Sequence, residues 1–187
     1  IGQSALVQVN YTDSTLTVPV FGAIDLGGIG KGFAADIVAE ELIEAGATGA
    51  LVNVGGDLAV LGRPGNDEVW IMGIEDPRDP PHHVAVFRLL TGGVATSGTT
   101  IRKWTKVDGT DAHHLINPAN SKPSQAGIAT ATVIAADAAT AEAYATAAMM
   151  LPAADGVAML DDVHLAGLVV ATNGDVIRTN TLKDFLA

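Results

Sequence analysis

The sequence contains no cysteine, which excludes disulfide bonds, thiolate nucleophiles and zinc sites built from cysteine. It also has few aromatic residues, which make up only 4% of the chain although 48% of its residues are hydrophobic. The core is therefore expected to consist of Ala, Val, Leu and Ile side chains. The lack of cysteine says nothing about the cellular compartment.

Basic residues are scarce as well. Ten Lys and Arg residues face 21 Asp and Glu residues, for a formal net charge of −11. This balance excludes nucleic acid as a partner, because a phosphate backbone needs a basic face. It also opposes the long-range attraction of a phosphorylated substrate, so a phosphate site in this chain needs a local positive charge or a metal ion.

The sequence has no apolar run of about 18 residues, so it predicts no transmembrane segment. The length of 187 residues predicts a single domain over residues 1–187. No signal peptide is recognised, and the chain starts at Ile1 without a methionine, which leaves export open.

Local patterns predict a mixture of helices and strands. Helices are predicted at residues 31–45, where apolar residues recur at helical spacing before Gly46, and at the alanine-rich residues 138–151. Strands are predicted at residues 5–11, 15–18, 50–54, 69–75, 84–90, 128–135, 165–171 and 175–179. The turn signals at residues 12–14 and at Asn173-Gly174 require antiparallel hairpins. The expected fold class is therefore α+β, with mostly antiparallel or mixed sheets and packed helices, and not a doubly wound fold.

A glycine-rich loop precedes the first predicted helix, with the sequence Asp25-Leu26-Gly27-Gly28-Ile29-Gly30-Lys31-Gly32. Glycines let a ligand approach the main chain closely, and the helix N-terminus beyond them offers unpaired N–H groups and a positive dipole end. A phosphate is the anion that best suits such a site, with Lys31 as a local cation. The spacing matches neither the P-loop nor the Rossmann motif. A tight turn that binds nothing explains the glycines equally well.

Four further polar clusters are candidate parts of a site, and each has a simpler structural interpretation. Residues 53–57 can form an ordinary β-turn, and residues 95–100, with their hydroxyl groups, can form a solvated loop. His114 could move protons near neutral pH, although a single histidine is more often structural. Glu142 and Thr146 lie one helical turn apart and could share a hard cation such as Mg²⁺. Thr146 could equally bond the preceding turn of its own helix.

These motifs, taken in order, resemble those of the FAD:protein FMN transferases, the ApbE family. The motifs that carry the resemblance are the loop and helix start at residues 25–36, Asn53-Val54-Gly55-Gly56-Asp57, Ala95-Thr96-Ser97-Gly98, His114-Leu115-Ile116-Asn117-Pro118 and Glu142-Ala143-Tyr144-Ala145-Thr146-Ala147. The resemblance extends from about Gly22 to Met150.

The resemblance implies a magnesium-dependent enzyme that transfers FMN from its substrate FAD to a Thr or Ser hydroxyl of an acceptor protein and releases AMP. It implies that Mg²⁺ is held by Glu142, Thr146 and the main-chain carbonyl of Gly30. It implies that His114 accepts the proton of the incoming hydroxyl. The residues implied to contact the pyrophosphate or the flavin phosphate are Gly28, Lys31, Thr96 and Ser97, with Asp57 as a nucleotide contact.

The chain departs from the family pattern in three respects. Glu142 and Asn117 stand where the family commonly has aspartate, and Asp137 is an alternative metal ligand if the helix has a different register. Family members usually have a much longer region before the glycine loop, so residues 1–187 are expected to be the C-terminal part of a longer pattern. Two alternative functions therefore stay open, an FAD- or nucleotide-binding module without transfer activity and an FAD pyrophosphatase. The resemblance favours an exported, membrane-associated location.

Overall fold

A six-stranded antiparallel sheet forms the centre of the computed structural model, which describes residues 7–65 and 68–187. All neighbouring strands in this sheet are antiparallel. From one edge to the other they are β14 (Val176–Arg178), β13 (Ala166–Ala171), β12 (Ile128–Ala135), β7 (Gly92–Gly98), β4 (Asp57–Gly62) and β3 (Gly49–Val54). This arrangement confirms the α+β class.

Two-stranded ribbons and helices complete the described part of the chain. The ribbons pair β1 (Gln8–Asn10) with β2 (Thr15–Thr17), β5 (Trp70–Glu75) with β6 (His83–Leu89), β8 (Lys103–Thr105) with β9 (Asp111–His113), and β10 (Ile116–Asn117) with β11 (Lys122–Pro123). The helices are α1 (Gly30–Glu44), α2 (Ala138–Ala148), α3 (Ala153–Asp162) and the 3-10 helix Asn180–Asp184.

The sheet is covered on both faces. Along β12, Ala131 and Val133 pack in the cluster formed with α2 and α3. Ile134 belongs to a second cluster with Phe87 of β6 and Leu182 of the 3-10 helix. Successive side chains of a strand point to opposite faces, so β12 lies between two apolar layers. This explains why seven of its eight residues are buried.

The sequence patterns predicted both α1 and α2 and most of the longer strands. The observed α2 ends three residues before the predicted end, and residues 5 and 6 of the first predicted strand lie outside the described residues. The interpretation of residues 95–100 as a solvated loop is wrong for residues 95–98. These residues end β7, which pairs with β12 and β4 in the middle of the sheet. Their small side chains carry little strand propensity, so only the pairing identifies them.

The side of α1 that packs against the sheet consists of small residues. Ala35 and Ala39 are buried in a cluster with Ala50 of β3 and Ala59 of β4, while the buried Gly32 lies against Ala138 of α2. Phe33 and Leu42, by contrast, are 58% and 44% exposed. The helical spacing of the large apolar residues therefore predicted the helix correctly, but small residues form most of its contact with the sheet, with Ile43 packed beside them.

The N-terminus of α2 lies against two glycines. A Cβ atom added to Gly32 would overlap the main-chain carbonyl of Ala138, and one added to Gly93 would overlap the main chain at Asp137 and Ala138. Both glycines are therefore needed for close approach rather than for an unusual φ angle. This contact fixes where α2 begins relative to α1 and β7.

Replacing Gly32 with Ala should destabilise the protein, even though Ala is the better helix former. The added methyl group would force α1 away from α2, and we expect a loss of about 2 kcal/mol in the free energy of unfolding, measured by urea denaturation. Gly109→Ala is the control. Gly109 has a φ of +81° and no described atom within 4 Å of an added Cβ, so it reports backbone strain alone. Wild-type stability in Gly32→Ala would contradict the close packing.

Candidate functional site

A cleft of about 740 Å³ opens where the glycine loop, the end of β7 and one face of α2 meet. The β5–β6 hairpin forms its opposite wall through residues such as Ile74 and Phe87. Most of the residues that the sequence motifs predicted line this cleft, namely Lys31, Thr96, Ser97, His114, Glu142 and Thr146. The fold thus brings together motifs that are far apart in sequence.

Local hydrogen bonds hold the glycine loop in its turn. The carboxylate of Asp25 accepts a hydrogen bond from the main-chain N–H of Gly27 at 2.7 Å. The carbonyl of Leu26 accepts from the N–H groups of Ile29 and Gly30, at 3.0 and 2.7 Å. Asp25 therefore helps to order the loop. The loop leads directly into the first turn of α1.

A carboxylate from α2 binds the N-terminus of α1. Oε2 of Glu142 accepts a hydrogen bond from the main-chain N–H of Gly32 at 2.8 Å. The first turn of a helix has unpaired N–H groups and a positive dipole end, both of which stabilise a negative charge. Glu142 therefore stays 98% buried while it links the two helices.

Lys31 lies between two buried carboxylates. Its ammonium group forms an ion pair with Asp57, and its Nζ lies 3.1 Å from Oε1 of Glu142. Burial opposes the charge of Lys31, but the hydrogen bonds to the two carboxylates outweigh burial and raise the pKa of Lys31. Burial also raises the pKa of Asp57, and the Lys31 ammonium offsets this only in part. Lys31 is therefore the local positive charge that this acidic chain needs in the cleft.

Hydroxyl groups and the glycine loop meet beside this cluster. Oγ of Ser97 and Oγ1 of Thr146 are hydrogen-bonded at 2.9 Å. A Cβ atom on Gly28 would lie 3.6 Å from the same Thr146 oxygen, so the loop main chain packs directly against it. Thr146 thus interacts with β7, contrary to the simpler interpretation in which it bonds its own helix.

The donor atoms on this face of α2 suit a hard cation. Oε1 of Glu142 is buried, and its one partner among the described residues is the ammonium group of Lys31 at 3.1 Å. One helical turn away, Thr146 supplies a hydroxyl oxygen. Carboxylate, hydroxyl and main-chain oxygens are the ligands that Mg²⁺ prefers. Within residues 7–65 and 68–187, no three His, Cys, Asp or Glu side chains form a metal cluster. A cation here would therefore be held by one carboxylate together with neutral oxygen atoms. The main-chain carbonyl of Gly30 as a further ligand stays a prediction.

Asp137 does not compete with Glu142 for this position. Helix α2 begins at Ala138, as predicted, and Asp137 is its N-cap. The side chain of Asp137 accepts a hydrogen bond from the N–H of Thr140 at 2.6 Å. The helix register that would have made Asp137 the metal ligand is therefore not observed.

The two adjacent histidines have different surroundings. His113 Nε2 lies 2.9 Å from the carbonyl of Ser124, and its Nδ1 accepts from the N–H of Leu115 at 3.3 Å. Both of its nitrogens are thus used within the fold. His114 is exposed in the cleft, with Nδ1 3.4 Å from the carbonyl of Arg102. A carbonyl only accepts, so Nδ1 carries the proton in this contact and Nε2 is left to accept another.

Two of the predicted contact residues are already engaged within the protein. Oγ1 of Thr96 is hydrogen-bonded to Oγ1 of Thr132 at 2.9 Å. Asp57 is only 1% exposed and is bound to Lys31. Both residues thus belong to the walls that support the site.

The sequence analysis missed the residue that positions α2. The two carboxylate oxygens of Asp36, on α1, accept hydrogen bonds from the N–H groups of Ala138 and Ala139 at 2.8 and 2.9 Å. Asp36 therefore fixes the start of α2 about one turn before Glu142. No local pattern shows this role, because the first of these partners is 102 residues away in the sequence.

Comparison with known proteins agrees with this cleft and fold. The family model described as the ApbE family matches residues 3–169. The chain is 32% identical over 157 residues to the FAD:protein FMN transferase of Escherichia coli strain K12, covering 83% of this chain and 44% of that protein. It is 26% identical over 170 residues to the Vibrio cholerae protein of the same name, covering 88% of this chain and 50% of that protein.

Solved structures show the same similarity. The ApbE protein of Thermotoga maritima superposes with a TM-score of 0.87 at 30% identity, covering 97% of this chain and 59% of that one. The flavinyl transferase ApbE of Pseudomonas stutzeri superposes with a TM-score of 0.79 at 25% identity, covering 96% of this chain and 56% of that one. The fold is thus that of a flavin-transferase-like α+β protein. The chain belongs to the ApbE family.

The chain spans about half the length of the curated relatives that it matches. None of the helices in the described residues combines the length and the apolarity needed to cross a membrane.

Replacing Asp36 with Ala should destabilise the protein by about 1–2 kcal/mol, because two N–H groups at the start of α2 lose their acceptor. Asp36→Asn, which keeps one acceptor oxygen, should lose less. Urea denaturation measures both, and Glu40→Ala, at an exposed position on the same helix, is the control. If Asp36→Ala were no less stable than Glu40→Ala, Asp36 would not be holding α2.

Proposed function

We propose that this chain transfers FMN from FAD to a Thr or Ser hydroxyl of an acceptor protein and releases AMP. The observation that supports this most directly is that the glycine loop, Ser97, Glu142 and Thr146 converge in one cleft. Family membership supplies the reaction, since the relatives are named for it.

The phosphate groups of FAD would bind at the glycine loop. The N-terminus of α1 offers a positive dipole end, and Lys31 adds an ammonium group within the same cleft. Gly28 allows close approach of the main chain, and Ser97 adds a hydroxyl. Thr96 is a further proposed contact. The burial of Asp57 and its ion pair with Lys31 support a role in holding Lys31 rather than direct contact with a nucleotide.

The residues that would hold Mg²⁺ are Glu142, Thr146 and, through its carbonyl, Gly30. When bound there, the ion would neutralise the charge that develops as AMP leaves. The buried Oε1 of Glu142, which contacts the flexible side chain of Lys31 and no main-chain donor, supports this proposal. A carboxylate one methylene longer than the usual aspartate is still a hard oxygen ligand.

His114 would accept the proton of the acceptor hydroxyl. Its exposed position lets an acceptor chain reach it, and its Nδ1 contact with the Arg102 carbonyl leaves Nε2 free. An imidazole is suited to this transfer because its pKa lies near neutral pH. Asn117 holds the following turn by accepting from the N–H of Ala119 at 2.9 Å.

A binding module for FAD or another nucleotide is the second candidate function. It is favoured by Glu142, which stands where the family commonly has aspartate. An FAD pyrophosphatase would use the same phosphate site with water in place of the acceptor hydroxyl. An exported, membrane-associated location, which the resemblance favours, stays a prediction.

Mass spectrometry of the chain with FAD, MgCl₂ and a threonine-containing acceptor peptide should show the peptide gaining one FMN group, with AMP released. The same peptide with Val in place of Thr is the control and should stay unmodified. Release of AMP without labelled peptide would contradict transfer and support a pyrophosphatase. Binding of FAD with no product would support the binding module instead.

Replacing His114 with Ala should lower the rate of FMN transfer by about 10²-fold or more while FAD affinity stays near the wild-type value, because a general base acts in the chemical step. Transfer kinetics and equilibrium FAD binding measure the two effects separately. His82→Ala is the control, since His82 is exposed in the turn before β6 and pairs with Asp79. Equal losses of rate and affinity in His114→Ala would indicate a binding role.

A further inference from the structure

Both carboxylate oxygens of Glu142 already have a partner within the protein. Oε2 accepts from the N–H of Gly32, and Oε1 faces the Nζ of Lys31 at 3.1 Å. Oε1 has almost no exposed surface. A cation that approaches Glu142 from the cleft therefore meets the ammonium group of Lys31 first.

Two positive charges cannot share one carboxylate oxygen at contact distance, because their repulsion is strong in a partly buried site. Displacement of the Gly32 N–H is the less favourable route, since that group is part of α1 and cannot move alone. Lys31, in contrast, has a flexible side chain that is 36% exposed. Of the two partners of Glu142, Lys31 is the one that can leave.

Lys31 also has a second carboxylate to hold it. Asp57, the first residue of β4, forms an ion pair with the same ammonium group and is almost fully buried. Loss of the Glu142 contact would therefore leave Lys31 paired rather than free. Because Lys31 would keep its contact with Asp57, that buried carboxylate would not become uncompensated. An uncompensated buried carboxylate is strongly destabilising.

We propose that Lys31 is an exchangeable counter-ion, which neutralises Glu142 until Mg²⁺ binds and then keeps only its contact with Asp57. This inference rests on the magnesium site of the proposed function. One ammonium group beside two carboxylates leaves the cluster negative by one unit. Addition of a divalent cation makes the same cluster positive by one unit. The exchange therefore converts a site that repels the pyrophosphate of FAD into one that attracts it.

The first test is titration of the chain with MgCl₂ alone, at constant ionic strength, by isothermal calorimetry. Lys31→Met, which keeps the length of the side chain and removes its charge, should bind Mg²⁺ roughly tenfold more tightly than the wild type, because the competing cation is gone. Lys106→Met removes the same charge at an exposed position and should leave affinity unchanged. Unchanged or weaker binding in Lys31→Met would overturn the proposal, as would absence of Mg²⁺ binding by both proteins.

The second test detects the displacement itself in the wild-type protein, and it does not depend on the folding of a variant. The chain has five lysines, so their side-chain NMR signals can be resolved and Lys31 assigned by comparison with Lys31→Arg. Addition of MgCl₂ should shift the Lys31 signal and leave the other four in place. A Lys31 signal that stays unchanged while Mg²⁺ binds would overturn the exchange.

Neither test uses FAD or an acceptor, so the two proposals can fail separately. Exchange at Lys31 without FMN transfer would leave this inference intact and reject the proposed function. FMN transfer with a Lys31 signal that does not respond to Mg²⁺ would support the proposed function and reject the exchange at Lys31.

Discussion

The buried contact between Glu142 and the start of α1 is the interaction on which the rest of the site depends. It ties the main-chain N–H of Gly32 to a carboxylate from α2. The contact forms only because α2 begins close against Gly32 and Gly93, where a Cβ atom would not fit. Asp36 holds the same end of α2 through two further hydrogen bonds. The two helices therefore act as one support for the cleft.

The electrostatics of the cleft depend on the same contact. The chain as a whole is strongly acidic, yet its cleft would need positive charge to hold the pyrophosphate of the proposed substrate. The N-terminus of α1 and the ammonium group of Lys31 supply it locally, and both lie beside Glu142. The summed charge of Lys31, Asp57 and Glu142 is therefore small, and one divalent cation would be enough to change the sign of that sum. Under the proposed function, this balance would let an acidic protein bind an anionic substrate without a basic surface.

Helix α1 contributes to the protein on two sides. Its small residues approach the sheet and α2 closely, which allows the contact at Gly32. On the other side, Phe33 and Leu42 are largely exposed. An amphipathic helix usually buries its larger apolar residues, and α1 does not do so in this structure. The helical spacing of those residues was nevertheless sufficient to predict the helix, because spacing reports the local conformation rather than the partner.

The sequence by itself determined α1, α2, the strands with clear alternation or β-branched runs, and the identity of most cleft residues, since each of these leaves a local pattern or an ordered motif. It did not indicate α3. It did not determine β7, whose small polar residues resemble a loop, or the role of Asp36, whose partners lie at the start of α2. It also left the hydrogen-bond partner of Thr146 open, and the structure shows that this partner is Ser97. Only the tertiary structure decided that Lys31 lies between Asp57 and Glu142. The physical reason is that such contacts join residues distant in sequence, and their energy depends on burial and distance, which no local pattern records.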